Sequence, residues 1–145
     1  MPLTLKIITQ EKVVLEREIV QATLPIEQGE VTVLADHIPI IGSLKAGEIH
    51  LRDAEGKDEI LAVSGGFAEF HDNILTLLAD TAERAEEIDI ERAEAGRKRA
   101  EELIRSQENL SEEEYARTAA MLEKELSRIK VAKKHRTKQG LHIES

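Results

Sequence analysis

The chain changes character at residue 81, and that break constrains its architecture more than any other feature. Before it, apolar and polar residues alternate in short stretches dense in β-branched side chains. After it there is no proline, and Ala, Glu, Arg, Lys and Leu dominate, all good helix formers. A period of two and a period of 3.6 need different backbones. One chain of 145 residues therefore holds a β unit followed by a helical unit, an α+β arrangement with the two classes segregated.

In the first unit, Leu3-Thr4-Leu5-Lys6-Ile7-Ile8 alternates like a half-buried strand, and residues 13–24 continue in that style. Residues 31–34, 48–52, 60–63 and 74–78 read as further strands. Asp53-Ala54-Glu55-Gly56-Lys57 has the chemistry of a hairpin loop, His71-Asp72-Asn73 that of a tight turn, and Ser64-Gly65-Gly66 that of a break between strands. Many short strands with regular turns predict a sandwich or a barrel.

In the second unit, Asp89 is placed to cap a helix reaching about Ser106. Its small face, Ala93, Gly96, Ala100 and Leu103, lets a neighbouring helix approach closely. Ser111-Glu112-Glu113-Glu114 is a capping box. Beyond it Tyr115, Ala119, Leu122, Leu126 and Ile129 recur at spacings of 4, 3, 4 and 3, a heptad seam. The short linker Asn109-Leu110-Ser111 makes the pair an antiparallel hairpin. Two helices alone bury little, so the hairpin is expected to dock on something or to move. Fraying is expected from about Gly140, which divides the chain into a β domain at 1–84, a hairpin at 85–138 and a tail at 139–145.

Composition excludes several functions. Phe67, Phe70 and Tyr115 are the only aromatic residues, which argues against stacking platforms for single-stranded nucleic acid. Residues 1–80 hold fourteen acids and six bases, a net of −8, whereas 81–145 hold fifteen and fourteen, a net of −1. A body that acidic repels nucleic acid and anionic lipid, so no nucleic-acid partner is expected. The absence of cysteine rules out disulfides, thiolate metal sites and cysteine nucleophiles, and fits a reducing compartment. Met1-Pro2-Leu3-Thr4-Leu5-Lys6 lacks the basic start and apolar run of a signal or transit peptide. No apolar stretch approaches the roughly 20 residues of a membrane span, so membrane association is expected only through a partner.

No catalytic constellation emerges. The histidines at 37, 50, 71, 135 and 142 show no metal-ligand spacing, and no metal is expected. Gly42-Ser43-Leu44-Lys45-Ala46-Gly47-Glu48 resembles half a P-loop, but Glu48 stands where Lys must be, so a plain turn is expected there. Ser64-Gly65-Gly66 is not a Gly-x-Ser-x-Gly nucleophile elbow. Arg92 and Arg99, seven apart, share one helix face, and Lys124 and Arg128, four apart, share another. In an antiparallel hairpin these pairs either converge into a cationic groove suited to a polyphosphate or form an ordinary surface of Glu–Arg pairs.

Three stretches resemble the epsilon subunit family of F-type ATP synthases. The first runs Gly29-Glu30-Val31-Thr32-Val33-Leu34-Ala35-Asp36-His37-Ile38-Pro39 and continues to Leu44-Lys45-Ala46-Gly47-Glu48-Ile49. It is similar to the family's Gly-x-x-x-Val-Leu-Pro-Gly-His-x-Pro pattern, with Ala35-Asp36 in place of Pro-Gly. The second is Ala62-Val63-Ser64-Gly65-Gly66-Phe67-Ala68-Glu69 with Asp80-Thr81-Ala82, and the third is Ile88-Asp89-x-x-Arg92-Ala93.

The resemblance implies a flattened β-sandwich of about ten strands and then the two-helix hairpin. It implies a non-catalytic rotor subunit that couples proton flow to ATP synthesis. The implied partners are the gamma subunit, the ring of c subunits and the alpha/beta catalytic head, with Glu30, Asp36, His37 and Pro39 facing gamma and the c-ring. No cofactor is required. An extended hairpin would present Arg117, Lys124, Arg128, Lys130, Lys133 and Lys134 to an acidic loop of the head and restrain hydrolysis. A folded hairpin would bind ATP as a regulatory ligand through Glu83, Ile88, Asp89, Arg92, Ala93, Arg99, Lys124 and Arg128. The implied location is the cytoplasmic face of a bacterial inner membrane, or the stromal side of a plastid thylakoid. Two rivals are a free-standing nucleotide sensor and a coiled-coil adaptor that self-associates through Leu122, Leu126 and Ile129.

Overall fold

In the computed structural model, residues 2–106 and 110–144 are described, with side chains through Thr137 in the last helix. The elements are β1 (Leu3–Ile8), β2 (Val13–Ile19), β3 (Gln21–Ile26), β4 (Gly29–Leu34), β5 (Ile40–Arg52), β6 (Asp58–His71), β7 (Ile74–Ala79) and β8 (Ala82–Arg84). A 3-10 turn (Ala85–Glu87), α1 (Ile90–Ser106) and α2 (Glu112–Glu144) follow.

The strands form one hydrogen-bonded path, β2-β1-β7-β6-β5-β3-β4, with β8 added beside β6. Strands β5 and β6, of 13 and 14 residues, pair antiparallel on both sides of Lys45 and Gly65. The second half of β6 pairs with β7, whereas its first half pairs with β8. Each long strand thus serves two layers. One layer is β2-β1-β7 with the far half of β6 and the near half of β5. The other is β8, the near half of β6, the far half of β5, β3 and β4. The described residues therefore hold eight strands where about ten are expected, because two strands are each used twice.

The same geometry corrects the expected break at Ser64-Gly65-Gly66, which is a bend inside β6. Gly65 and Gly66 take φ of +131° and +132° there, which L side chains rarely adopt. A Cβ on Gly66 would lie 1.9 Å from the Leu78 carbonyl oxygen, so only glycine lets β7 approach.

Alternation fills the space between the layers. Leu3, Leu5 and Ile7 of β1, Ile49 and Leu51 of β5, Leu61 and Val63 of β6, and Leu75 and Leu77 of β7 are each no more than 2% exposed. Full burial of such a side chain contributes about 1.5–3 kcal/mol. The turns follow their chemistry. Asp53 Oδ1 accepts the Glu55 and Lys57 amides at 2.9 Å. Asp72 and Asn73, at φ +51° and +59°, form the two-residue turn joining β6 to β7.

Asp89 Oδ1 accepts the Arg92 amide at 3.1 Å, and Ser111 Oγ accepts the Glu114 amide at 3.1 Å, so both helices start where their caps predict. Ala93, Gly96 and Ala100 face α2 and are buried. The far half of α2 lies on the outer face of the second layer. There Val131 and Ala132 pack on Ile60 and Ala62 of β6, with Ala85 and Ile88.

The α2 seam differs from the expected one. Tyr115 and Leu126 are exposed, and the inward residues are Thr118, Leu122, Glu125, Ile129 and Ala132, at the same spacing in another register. The reason is Gly96. A Cβ there would come within 2.9 Å of Glu125 Cδ, so the glycine admits a Glu side chain where a leucine knob is expected. Helix α2 is described past Gly140 as far as Glu144. Residue 109 of the expected linker and the final Ser145 lie outside the described residues.

Candidate functional site

At the base of the hairpin, Arg128 on α2 meets Glu83 on β8. Its Nη2 donates to Glu83 Oε2 at 3.2 Å and its Nη1 to Glu125 Oε2 at 2.9 Å. Its Nε lies 2.9 Å from Glu83 Oε1 but off the line a hydrogen bond needs. The side chain is only 14% exposed. Burial alone would lower the guanidinium pKa, but the two carboxylates more than offset it and raise it. Ile88 and Ala93 are buried, and the Asp89 carboxylate is engaged as the α1 cap. Arg92 and Arg99 are exposed, and among the described residues neither has an acidic partner. They flank Gly96 by four and three residues, on the side of α1 that meets Glu125. Lys124 is half-buried one residue before Glu125. The structure thus brings Glu83 and Arg128 into contact, whereas Arg92, Arg99 and Lys124 make no ion pair with either among the described residues. The ordinary Glu–Arg pattern occurs further along α1, where Arg97 bonds Glu94 at 2.9 Å and Glu101 at 3.0 Å.

The basic residues of α2 separate into two groups. Lys134 pairs with Glu48 on β5, whose Oε1 also lies 3.2 Å from His50 Nε2. Burial would raise the Glu48 carboxyl, but hydrogen bonds from Lys134 and His50 outweigh it and hold the pKa below the ordinary value. Ser127 Oγ donates to the Gly47 carbonyl at 2.9 Å, one residue from Arg128 on α2 and one from Glu48 on β5. Arg117, Lys130 and Lys133 are exposed and unpaired among the described residues.

The four residues expected at one loop sit at both ends of an edge strand. Glu30 begins β4, and Asp36, His37 and Pro39 follow its end. Four extended steps carry the strand about 13 Å from Glu30 to Leu34, and the Ala35–Asp36 turn follows. Asp36 takes φ +65°, the conformation glycine would adopt at this position. Asn73 holds it there: the Asp36 amide donates to Asn73 Oδ1 at 2.6 Å, and Asn73 Nδ2 donates to Asp36 Oδ1 at 3.1 Å. The Ala35-Asp36 substitution thus keeps the left-handed turn and ties it to the β6–β7 turn. The His37 and Phe70 rings are T-shaped with centroids 6.3 Å apart, and Ile38 beside His37 is 73% exposed.

Reading the strands singly misses one surface. On the outer face of the first layer, Phe67 pairs with Leu78, Leu78 with Ile8, and Ile8 with Val13. This apolar row crosses four strands, and Phe67 is 60% exposed. Ile41 and Ile74 lie on the same face and are also exposed. The signal was present in β7, where Ile74 and Leu78 point outward while Leu75 and Leu77 point inward. A strand apolar on both faces needs a cover on each. The hairpin covers only the opposite side of the sandwich.

The fold and these surfaces define a class: a β-sandwich with an apolar outer face, carrying a C-terminal helical hairpin docked on the other face. The family model "ATP synthase, Delta/Epsilon chain, beta-sandwich domain" matches residues 2–85, and "ATP synthase, Delta/Epsilon chain, long alpha-helix domain" matches residues 86–133. The ATP synthase epsilon chain of Herpetosiphon aurantiacus is 42% identical over 139 residues, covering 96% of this chain and 100% of its own. That of Moorella thermoacetica is 44% identical over 130 residues, 90% of this chain and 96% of its own. A chain in the cryo-EM structure of the Euglena gracilis mitochondrial ATP synthase superposes with a TM-score of 0.74 at 23% identity, over 87% of this chain and 78% of that one, a likeness of fold. The chain belongs to the ATP synthase delta/epsilon chain family.

Proposed function

We propose that the chain is a central-stalk rotor subunit of a proton-translocating F-type ATP synthase. It has no catalytic role of its own. It joins the gamma subunit to the c-ring, so that proton-driven rotation reaches the catalytic alpha/beta head. The observation that carries this reading is the apolar row Val13, Ile8, Leu78 and Phe67, lying opposite the hairpin and uncovered in the isolated chain. We assign it to gamma, and the β4 edge with His37 and Ile38 to the c-ring. No helix among the described residues is long and apolar enough to cross a membrane. The subunit would reach a membrane through its complex, on the cytoplasmic face in a bacterium.

The hairpin regulates hydrolysis. Tyr115, Met121 and Leu126 remain exposed on α2 when it is folded down, which favours a second packed state for this helix. Extended along the shaft, α2 would bury Tyr115 and Leu126, which lie about 20° apart around the helix, and carry its cations to an acidic segment of the head. The test is ATP hydrolysis by a head-and-shaft complex lacking this subunit, with the full chain or a version ending at Glu87 added back. Inhibition by the full chain alone supports both parts. Binding of both without inhibition removes the regulatory part, and binding of neither removes the rotor assignment.

Nucleotide binding at the hairpin base is a second reading. It is favoured by Arg92 and Arg99, which flank the Gly96–Glu125–Arg128 contact without acidic partners among the described residues. Calorimetry at millimolar ATP with wild type and R92A/R99A tests it. Equal heats for the two, or none above background, exclude it.

A further inference from the structure

The six cations assigned to the acidic partner are not equivalent in the folded hairpin. Arg117, Lys124, Lys130 and Lys133 have no acidic partner among the described residues. Arg128 and Lys134 are held by carboxylates of the β-sandwich, Glu83 and Glu48. The two stand three residues before and after Val131, which is fully buried, so at 100° per residue they lie about 60° to either side of it. The docked stripe of α2 is therefore clamped along both margins, with the Ser127–Gly47 hydrogen bond near one of them.

The apolar contact beneath is thin. Its buried members are Val131 and Ala132 against Ile60, Ala62, Ala85 and Ile88, half of them alanines, with Ile90 partly buried beside them. Charged contacts therefore carry an unusual share of the docking. They are partly enclosed: Arg128 and Glu48 are 14% and 19% exposed, Glu83 28% and Lys134 42%, and Glu48 Oε2 is buried with no hydrogen-bond partner.

We propose that Glu48 and Glu83 form an intramolecular acidic surface that competes with the acidic partner for Arg128 and Lys134. This rests on the regulatory reading above. A guanidinium fork filled by Glu83 and Glu125 cannot grip a second carboxylate pair. The ammonium of Lys134 is likewise committed to Glu48. Release of α2 and its capture by the head are then one exchange, in which the cations leave carboxylates of the sandwich for carboxylates of the partner. Because like replaces like, the electrostatic difference between the two states is small, and modest inputs shift the population. The four unpaired cations provide the first attraction, and Arg128 and Lys134 commit only after the clamp opens.

The test uses E48Q, E83Q and the double variant in the full chain, with E123Q, an exposed α2 acid without a partner among the described residues, as control. The chain has no cysteine, so spin labels at E55C and A120C, both exposed, report the distance between sandwich and hairpin. The second readout is the concentration giving half-inhibition of ATP hydrolysis by the complex lacking this subunit. The double variant should raise the open fraction by about five- to tenfold, the factor expected for two partly screened ion pairs, and lower the half-inhibition concentration by a similar factor. E123Q should change neither. An unchanged open fraction in the double variant overturns the proposal. So does a raised open fraction with unchanged half-inhibition, because the cations would then not be shared. A wild-type chain that never inhibits sinks the regulatory reading itself, which distinguishes the two failures.

Discussion

The bend in β6 allows a stringent test, because Gly29 and Gly66 share a positive φ and differ in their surroundings. Their φ values are +126° and +132°. A Cβ on Gly29 would meet nothing within 4 Å, whereas one on Gly66 would lie 1.9 Å from Leu78 O and 2.9 Å from Ala79 Cα. Gly29→Ala therefore carries only the conformational penalty, about 1–3 kcal/mol. Gly66→Ala carries that penalty, about 1–3 kcal/mol of overpacking, and about 1 kcal/mol for a weakened β6–β7 hydrogen bond. The sum, roughly 3–7 kcal/mol, approaches the whole stability of an ordinary domain. Each kcal/mol should lower the melting temperature by roughly 4–8 °C in a domain of this size. Urea titration of the full chain, with amide exchange read at β6 and β7, separates the two variants. Gly66→Ala should open the β6–β7 pairing or fail to fold, while Gly29→Ala leaves that pairing protected. Equal losses in the two variants would refute the reasoning, since backbone strain would then account for everything and the close approach of β7 for nothing.

Three further outcomes follow from single contacts. Asp36→Ala should cost about 1–2 kcal/mol in urea titration, from the lost Asn73 hydrogen bond and from alanine's poorer tolerance of the left-handed conformation that aspartate accepts, whereas Asp36→Gly should stay within about 1 kcal/mol of wild type. The Glu48 carboxyl is lowered in the folded chain, so its stabilising contribution is fully present above the ordinary value of 4.5 and is lost as pH falls through the lowered one. The label distance between sandwich and hairpin should therefore lengthen below about pH 4.5. Glu48→Gln should weaken that dependence, and superimposable pH profiles would count against it. Replacing either cap, Asp89→Ala or Ser111→Ala, should speed amide exchange in the first turn of its own helix by about fivefold, corresponding to about 1 kcal/mol per cap, and leave the sandwich unchanged.

Local features were readable because their causes are local. The Asp89 and Ser111 caps, the Asp53 loop and the Asn73 turn each depend on side chains within a few residues of the backbone they satisfy. The alternation of β1 marks its buried face without reference to any partner strand. The ordered motifs around His37, Gly65 and Asp89 are specific enough to indicate the family from the sequence. The candidate site was readable as a list of charges but not as an arrangement. Its acidic members on the sandwich are far along the chain from the cations they hold, 86 residues for Glu48 and Lys134 and 45 for Glu83 and Arg128.

By itself the sequence determined a β unit, a helical hairpin, the ends of its helices and the family, because periodicity, caps and turn chemistry act over a few residues. Only the tertiary structure decided that β5 and β6 each serve two layers, that Glu125 rather than a leucine fills the hollow at Gly96, and that Phe67, Leu78, Ile8 and Val13 line up on one open face. It also decided which two of the six α2 cations are already held. These outcomes depend on how closely separate elements approach and which faces they turn to each other. That is set by packing across the whole chain, where residues distant in sequence compete for the same space.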